Sequence, residues 1–166
     1  MVEVEKGNAV EENKVKVKIA DCGISHQIAK NQPKWPIEQL RCFAPEVISS
    51  NCHKSSFTSQ SDCWSFGLLI YQIINGGVGL FKEMDESALK QAILHSEKPT
   101  IDQPETVMKM IRPDDLKYVF EILQMCLDQD PDLRPTFSKL KSKFLHKLSP
   151  PVRHSQKDGE GVYEKV

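Results

Sequence analysis

The run SDCWSFGLLIYQIINGG, residues 61–77, constrains the fold of this chain more than any other stretch. Cys63, Trp64, Phe66, Leu68, Leu69, Ile70, Tyr71, Ile73 and Ile74 leave it almost no polar side, and a helix that is apolar all round must be buried by other elements. It is too short, and too polar at its ends, for the roughly 20 apolar residues of a bilayer span. Ser61 is placed to cap its start, because a side-chain oxygen there can accept one of the amides that a helix leaves unpaired. Gly76 and Gly77 supply the left-handed residue that stops it.

The rest of the chain offers helices to cover that core. Asp85 can cap ESALKQAILHS, where Ala88, Leu89, Ala92 and Ile93 form one stripe, and Pro99 ends the element. After Pro113, Asp114 or Asp115 can cap an amphipathic helix with Leu116, Val119, Phe120, Leu123, Cys126 and Leu127 at the three-and-four spacing of a single face. After Pro135, TFSKLKSKFLHKL puts Phe137, Leu140, Phe144 and Leu148 on one side and the lysines on the other. Basic residues there favour a helix C-terminus.

Upstream the period changes. Val15, Val17 and Ile19 alternate with Lys14, Lys16 and Lys18, which predicts a strand with one buried face that stops at Asp21-Cys22-Gly23. From Ser25 to Cys42 no periodicity survives and Pro33 and Pro36 bracket Trp35, so a long extended loop is expected. Both ends, residues 1–13 and 149–166, are polar enough to be flexible.

Charge narrows the function classes. The 22 basic and 23 acidic residues nearly cancel, which leaves no broad footprint for nucleic acid or an anionic membrane. Five cysteines at irregular spacings, with no C-x-x-C pair and no matching Cys/His set, fit a reducing compartment, and the start MVEVEKGNAVEENK has no signal-peptide pattern. A cytoplasmic location is the expectation. Asp128, Asp130 and Asp132 alternate like a calcium loop, but Leu133 and Lys139 stand where such a loop needs glycine and glutamate, so a solvated turn explains them.

Four short segments occur in a telling order: Asp21-Cys22-Gly23, then Ala44-Pro45-Glu46, then Asp62-Cys63-Trp64-Ser65-Phe66-Gly67, then CLDQDPDLRPTF with Arg134. Together they resemble the C-terminal lobe of a eukaryotic protein kinase, with Asp21-Cys22-Gly23 at the DFG position, Ala44-Pro45-Glu46 at APE, and the third segment opening the central helix. The resemblance covers residues 14–148, and its specificity lies in order and spacing. The ending and KIADCGIS look most like the tyrosine-kinase-like group, and within it the Roco or leucine-rich-repeat kinases. The implied fold is mainly α, a C-terminal helical lobe of the protein-kinase-like fold with a short N-terminal strand and a long activation-segment loop.

The resemblance implies transfer of the ATP γ-phosphate to protein serine or threonine with magnesium. Asp21 would be the metal ligand, a carboxylate suited to a hard cation bridging to phosphates. Cys22 would take the packing position beside it, ahead of Gly23. Glu46 and Arg134 would form a buried ion pair tying the activation segment to the helices, and losing one partner of such a pair typically costs about 3 to 5 kcal/mol. Asp62 would accept backbone amides of the catalytic loop, and Ala44, Pro45, Trp64 and Gly67 would be scaffold.

Departures from the pattern are equally specific. The sequence contains no glycine-rich loop, no V-A-I-K lysine and no H-R-D-x-x-x-x-N catalytic loop, so no catalytic residue is assigned and a partial domain, inactive as an isolated chain, is expected. Glu38 to Phe43 replace the usual glycine and threonine ahead of APE, and no Ser, Thr or Tyr lies between His26 and Glu46 to accept a regulatory phosphate. The alternative expectation is a pseudokinase-type helical module. In either case the partner is a protein, as substrate or as bound ligand.

Overall fold

In the computed structural model the described residues are 2–4, 15–17, 35–95 and 111–148, and the chain divides into two units, residues 1–40 and 41–166. In the first unit β1 (Val2–Val4) and β2 (Val15–Val17) pair antiparallel, Val2 opposite Val17 and Val4 opposite Val15. The alternation around Val15 thus forms a strand, and its partner comes from the polar first residues, which sequence alone marked only as loose. Ile19 and the turn at Asp21-Cys22-Gly23 lie outside the described residues.

Within the stretch expected to be a loop there is one helical turn, α1 (Ile37–Leu40). Pro36 explains it: its fixed φ suits a helix start, and its carbonyl accepts the amides of Gln39 and Leu40 at 3.0 and 3.1 Å.

The second unit is built around helices. α2 (Pro45–Ser49) begins with Pro45 in its first turn and ends where Asn51 and Cys52 both adopt positive φ. α3 (Ser59–Ile74) is the central apolar run. It starts earlier than Ser61 allows: Thr58 is the cap, accepting the amides of Gln60 and Ser61, while the Ser61 hydroxyl reciprocates by accepting the Thr58 amide at 2.9 Å. A second hydroxyl three residues upstream makes this capping box possible. At the other end Gly76 and Gly77 hold φ of 63° and 92°, and the Gly77 amide reaches the Gln72 carbonyl at 2.8 Å.

α4 (Glu86–His95) is capped by Asp85, whose carboxylate accepts the Ala88 amide at 2.8 Å. Pro99 is outside the described residues. In α5 (Pro113–Cys126) the N-cap position falls on Arg112 rather than on either aspartate, with no side-chain cap hydrogen bond and with Pro113 in the first turn. Pro113 takes the place where a missing amide costs nothing, and this shifts Asp114 and Asp115 into the first turn, where the helix dipole favours them. α6 (Phe137–Leu148) closes the unit.

The described chain is mainly helical. α3 packs on α5; Leu68, Ile70, Tyr71 and Ile74 are buried on α3, and Ile122 as well as Leu116, Leu123 and Cys126 on α5. α2 packs on α4, where Leu89 and Ile93 are the buried residues while Ala88 is exposed. Gly67 sits where α3 and the end of α5 meet: a Cβ there would lie 2.8 Å from Leu127 Cδ2 and 2.9 Å from Cys126 Cβ.

Two expectations need correction. α3 is not buried all round, since Leu69 and Ile73 are 50% and 65% exposed on its outer face. Nor is the apolar side of α6 fully covered: Leu140 is buried, but Phe137 is 42% exposed and Phe144 is only half-buried. The apolar pattern marks faces able to be buried, and this lobe covers only part of each.

Candidate functional site

Three of the residues singled out by sequence, Glu46, Trp64 and Arg134, converge on one point of the second unit. Arg134 follows the 3-10 turn Pro131–Leu133, and its side chain is fully buried. Its Nη1 and Nη2 donate to the two carboxylate oxygens of Glu46 at 2.8 and 2.9 Å, across 88 positions of sequence. The remaining donors go to carbonyls: Nε to Asp128 at 2.7 Å, Nη1 also to Gln60 at 2.9 Å, and Nη2 also to Gln129 at 3.4 Å. All five N–H groups of the fork are used. Such bidentate, charge-assisted pairing is the geometry in which a buried arginine can recover its lost hydration.

Trp64 covers the pair. Its ring lies 5.2 Å from the guanidinium carbon, an additional attraction between cation and π face. The indole Nε1 is buried and has no hydrogen-bond partner among the described residues. Gln60 completes the cluster by donating to the carbonyls of Pro131 and Arg134 at 3.0 and 3.1 Å, so α3 and the turn before α6 are bound in both directions. The turn itself is built by the alternating aspartates: Asp128 accepts the Asp130 amide and Asp130 accepts the Asp132 amide. Their carboxylates therefore have backbone work, as a solvated turn requires.

Ahead of Glu46 the chain is fastened again. Arg41 donates from Nε to the Phe81 carbonyl at 3.0 Å and from Nη2 to the Met84 carbonyl at 3.1 Å. Ser65 donates to the Cys42 carbonyl at 2.7 Å, Phe43 is buried edge-on against Phe57 at 5.2 Å, and Ala44 and Pro45 are buried. Residues 41–46 thus form a ledge held at both ends, with Cys42 exposed on it. Burial nonetheless pushes the Cys42 thiol above its ordinary range, which keeps it protonated and poorly nucleophilic.

Several of these groups escape a reading of the sequence. Arg41, Gln60 and Ser65 bond to backbone carbonyls distant in sequence, and such acceptors leave no residue signature. The remaining sequence-derived residues are placed as follows. Asp62 is exposed on the first turn of α3, and its carboxylate accepts no hydrogen bond among the described residues. Gly67 is at the α3–α5 contact, remote in role from any ligand. Asp21, Cys22 and Gly23 lie outside the described residues. Among those described, no group of three or more His, Cys, Asp or Glu side chains is placed to hold a metal. No helix among the described residues is long and apolar enough to cross a membrane.

A helical lobe whose proline-led helix is tied by a glutamate to a buried arginine far along the chain is the arrangement expected of a protein-kinase C-terminal lobe. The family described as protein tyrosine and serine/threonine kinase matches residues 5–144. Similar curated proteins include the tyrosine-protein kinase HTK16 of Hydra vulgaris, 28% identical over 141 residues, which are 80% of this chain and 16% of that protein. Mitogen-activated protein kinase kinase kinase 10 of Xenopus laevis is 32% identical over 120 residues, 72% of this chain and 10% of the relative. The proto-oncogene tyrosine-protein kinase ROS of Mus musculus is 30% identical over 132 residues, 77% of this chain and 5% of the relative. The chain belongs to the protein kinase family. It spans a small part of the length of these relatives, and no narrower subgroup of kinases is marked out.

Proposed function

We propose that residues 14–148 are the C-terminal part of a protein kinase domain, the part that presents a protein substrate to ATP-dependent phosphotransfer, and that the acceptor is serine or threonine. The single observation that carries this reading is the bidentate Arg134–Glu46 pair under Trp64: it fixes the ledge 41–46, and a fixed ledge is what positions an extended peptide beside a phosphoryl donor. Asp21 is the proposed magnesium ligand, and the kinship with the Roco group of tyrosine-kinase-like kinases belongs to the same reading, supported by KIADCGIS and CLDQDPDLRPTF. Location in the cytoplasm is part of it too. The glycine-rich loop, the phosphate-binding lysine and the catalytic-loop aspartate that phosphotransfer needs are not encoded in this sequence, so the isolated chain is expected to be inactive.

A second reading, a pseudokinase-type interaction module, is favoured by one observation: Leu69 and Ile73 form an exposed apolar strip on α3 in line with Asp62, a surface fit for a protein partner. One assay separates the two. Transfer of labelled γ-phosphate from Mg-ATP to Ser/Thr and Tyr peptides is measured for this chain and for the native product recovered with an antibody to residues 35–95. The kinase reading expects none from the chain and Ser/Thr labelling from the native product. Labelling by the chain alone, lost in Asp21→Asn, overturns the expected inactivity. Labelling of tyrosine alone overturns the acceptor assignment, and a native product without transfer leaves the interaction module.

A further inference from the structure

The near balance of charge along the chain conceals one helix that is not balanced. α6 runs FSKLKSKFLHKL, with Lys139, Lys141, Lys143 and Lys147 and no Asp or Glu in its 12 residues. Its inner side is set by Leu140, which is buried, and by Phe144, which meets Tyr118 edge-on at 6.3 Å. Lys147 belongs to that side as well, with its ammonium 3.2 Å from the Asp115 carboxylate. At about 100° per residue, the opposite side carries Ser138, Ser142, Leu145 and His146, edged by Lys139 on one flank and Lys141 on the other. All of these are exposed, and the half-buried Lys143 stands one turn beyond Lys139 on the same flank. We propose that this outer face of α6 docks on an anionic phospholipid surface, the lysines meeting the headgroups and Leu145 entering the interface.

Charge complementarity calls for an anion, and the shape and chemistry of the face choose a bilayer among anions. Ser142 turns its hydroxyl back to the Ser138 carbonyl at 3.1 Å, so the strip between the flanks is low. Long lysine stems on both edges can then extend past it to one plane. Leu145 is 56% exposed within that basic field. A bilayer has acyl chains just below its headgroups to receive such a side chain, whereas a phosphodiester backbone has none. The outer face of a helix is also convex, and an acidic peptide finds no groove on it of the kind that seats a docked segment. Asp130 and Asp132 are exposed ahead of the helix, so the lysine-bearing turns make the approach.

A lysine close to an anionic leaflet strengthens binding roughly fivefold. Three of them with one leucine give a weak, reversible and salt-sensitive attachment, suited to act as one of the two signals that stable anchoring takes.

The test uses the full chain with sucrose-loaded vesicles, pelleted by centrifugation, of phosphatidylcholine alone or in equal parts with phosphatidylserine. Binding is expected to the mixed vesicles only, lost as added salt shortens the Debye length. The double variant Lys139→Gln, Lys141→Gln should bind them roughly 25-fold more weakly, with an unchanged Tm because both side chains are exposed. In Leu145→Trp, lipids brominated in the acyl chains should quench emission beyond any quenching of the parent's Trp35 and Trp64. Should the double variant fail to fold, that added quenching locates the contact by itself. No binding to mixed vesicles at low salt overturns the proposal, as does equal binding by a folded double variant or the absence of added quenching. A polyglutamate peptide or a DNA duplex bound as tightly as the mixed vesicles, with the same dependence on Lys139 and Lys141, overturns the assignment to a bilayer.

Discussion

The inner and outer faces of α3 carry residues of the same kind and meet different surroundings. Inward, Leu68, Ile70, Tyr71 and Ile74 are buried, Gly67 admits the end of α5 to contact, and Gln60 and Trp64 bind Arg134. Outward, Leu69 and Ile73 stand in solvent beyond Asp62. Hydrophobicity alone does not say which face a lobe covers; the inward face is distinguished by directional contacts, the buried fork of Arg134 above all, that only one orientation of the helix can make. Apolar residues on the outer face add exposed area without adding stability to this lobe.

The largest expected effect comes from breaking the inward fastening at its polar centre. Arg134→Ala leaves Glu46 without its partner and strands the carbonyls of Asp128 and Gln60. Removing one member of a buried pair costs about 3 to 5 kcal/mol, here toward the lower end because the Glu46 side chain is 24% exposed. Urea unfolding measures it, through a fall in midpoint at constant slope. A midpoint unchanged by the substitution would mean that the pair fastens nothing.

The two faces are then compared directly by Ile70→Ala and Ile73→Ala, the same chemical change on one helix. Ile70, 7% exposed, should lose about 2 to 4 kcal/mol through transfer and cavity formation. Ile73, 65% exposed, should stay within about 0.5 kcal/mol of the parent. Equal losses would show that the outer face is covered in solution. Gly67→Ala sharpens the contrast from the opposite direction, by addition. Its methyl meets Leu127 and Cys126 inside 3 Å, and overpacking of this kind costs about 1 to 3 kcal/mol. Any gain in helix propensity from alanine is smaller than that.

How much of this was legible beforehand follows from the physics of each feature. The central run announced a helix with a large buried side because nine apolar side chains fall in fourteen or so positions, and the order of Ala44-Pro45-Glu46, Trp64 and Arg134 announced the kinship. Caps were misplaced for specific reasons: Thr58 and Ser61 both carry a competent hydroxyl and only the backbone decides between them, while Pro113 starts α5 ahead of the aspartates, so that Arg112 holds the cap position without a side-chain bond. The outer face of α3 was misread because apolar periodicity reports capacity for burial. The bonds of Arg41 and Ser65 left no trace, although Ser65 stands in the third segment, since their partners are backbone carbonyls that every residue has.

The smallest expected effect lies on a third surface, where α5 and α6 meet through charge instead of burial. Arg112 Nε donates to Asp115 Oδ2 at 2.7 Å, and Lys147 Nζ lies 3.2 Å from Asp115 Oδ1, its ammonium also 5.5 Å from the Tyr118 ring centroid. The Arg112 hydrogen bond, followed by that of Lys147, holds the Asp115 carboxyl below its usual range. A carboxyl whose folded-state pKa is depressed binds fewer protons folded than unfolded, so its contribution to stability is fully present above the unfolded pKa and is lost as pH falls through the folded one. Tm measured from neutral pH down into the acid range should therefore decline less steeply in Asp115→Asn than in the parent, with the two curves meeting below the folded pKa. Added salt should shrink the difference, because water and ions screen this triad as they do not screen Arg134 and Glu46. Parallel curves at low salt would show that Arg112 and Lys147 leave Asp115 as it is in the unfolded chain, and that contacts such as the Tyr118–Phe144 edge pair hold α6 to α5 without help from charge.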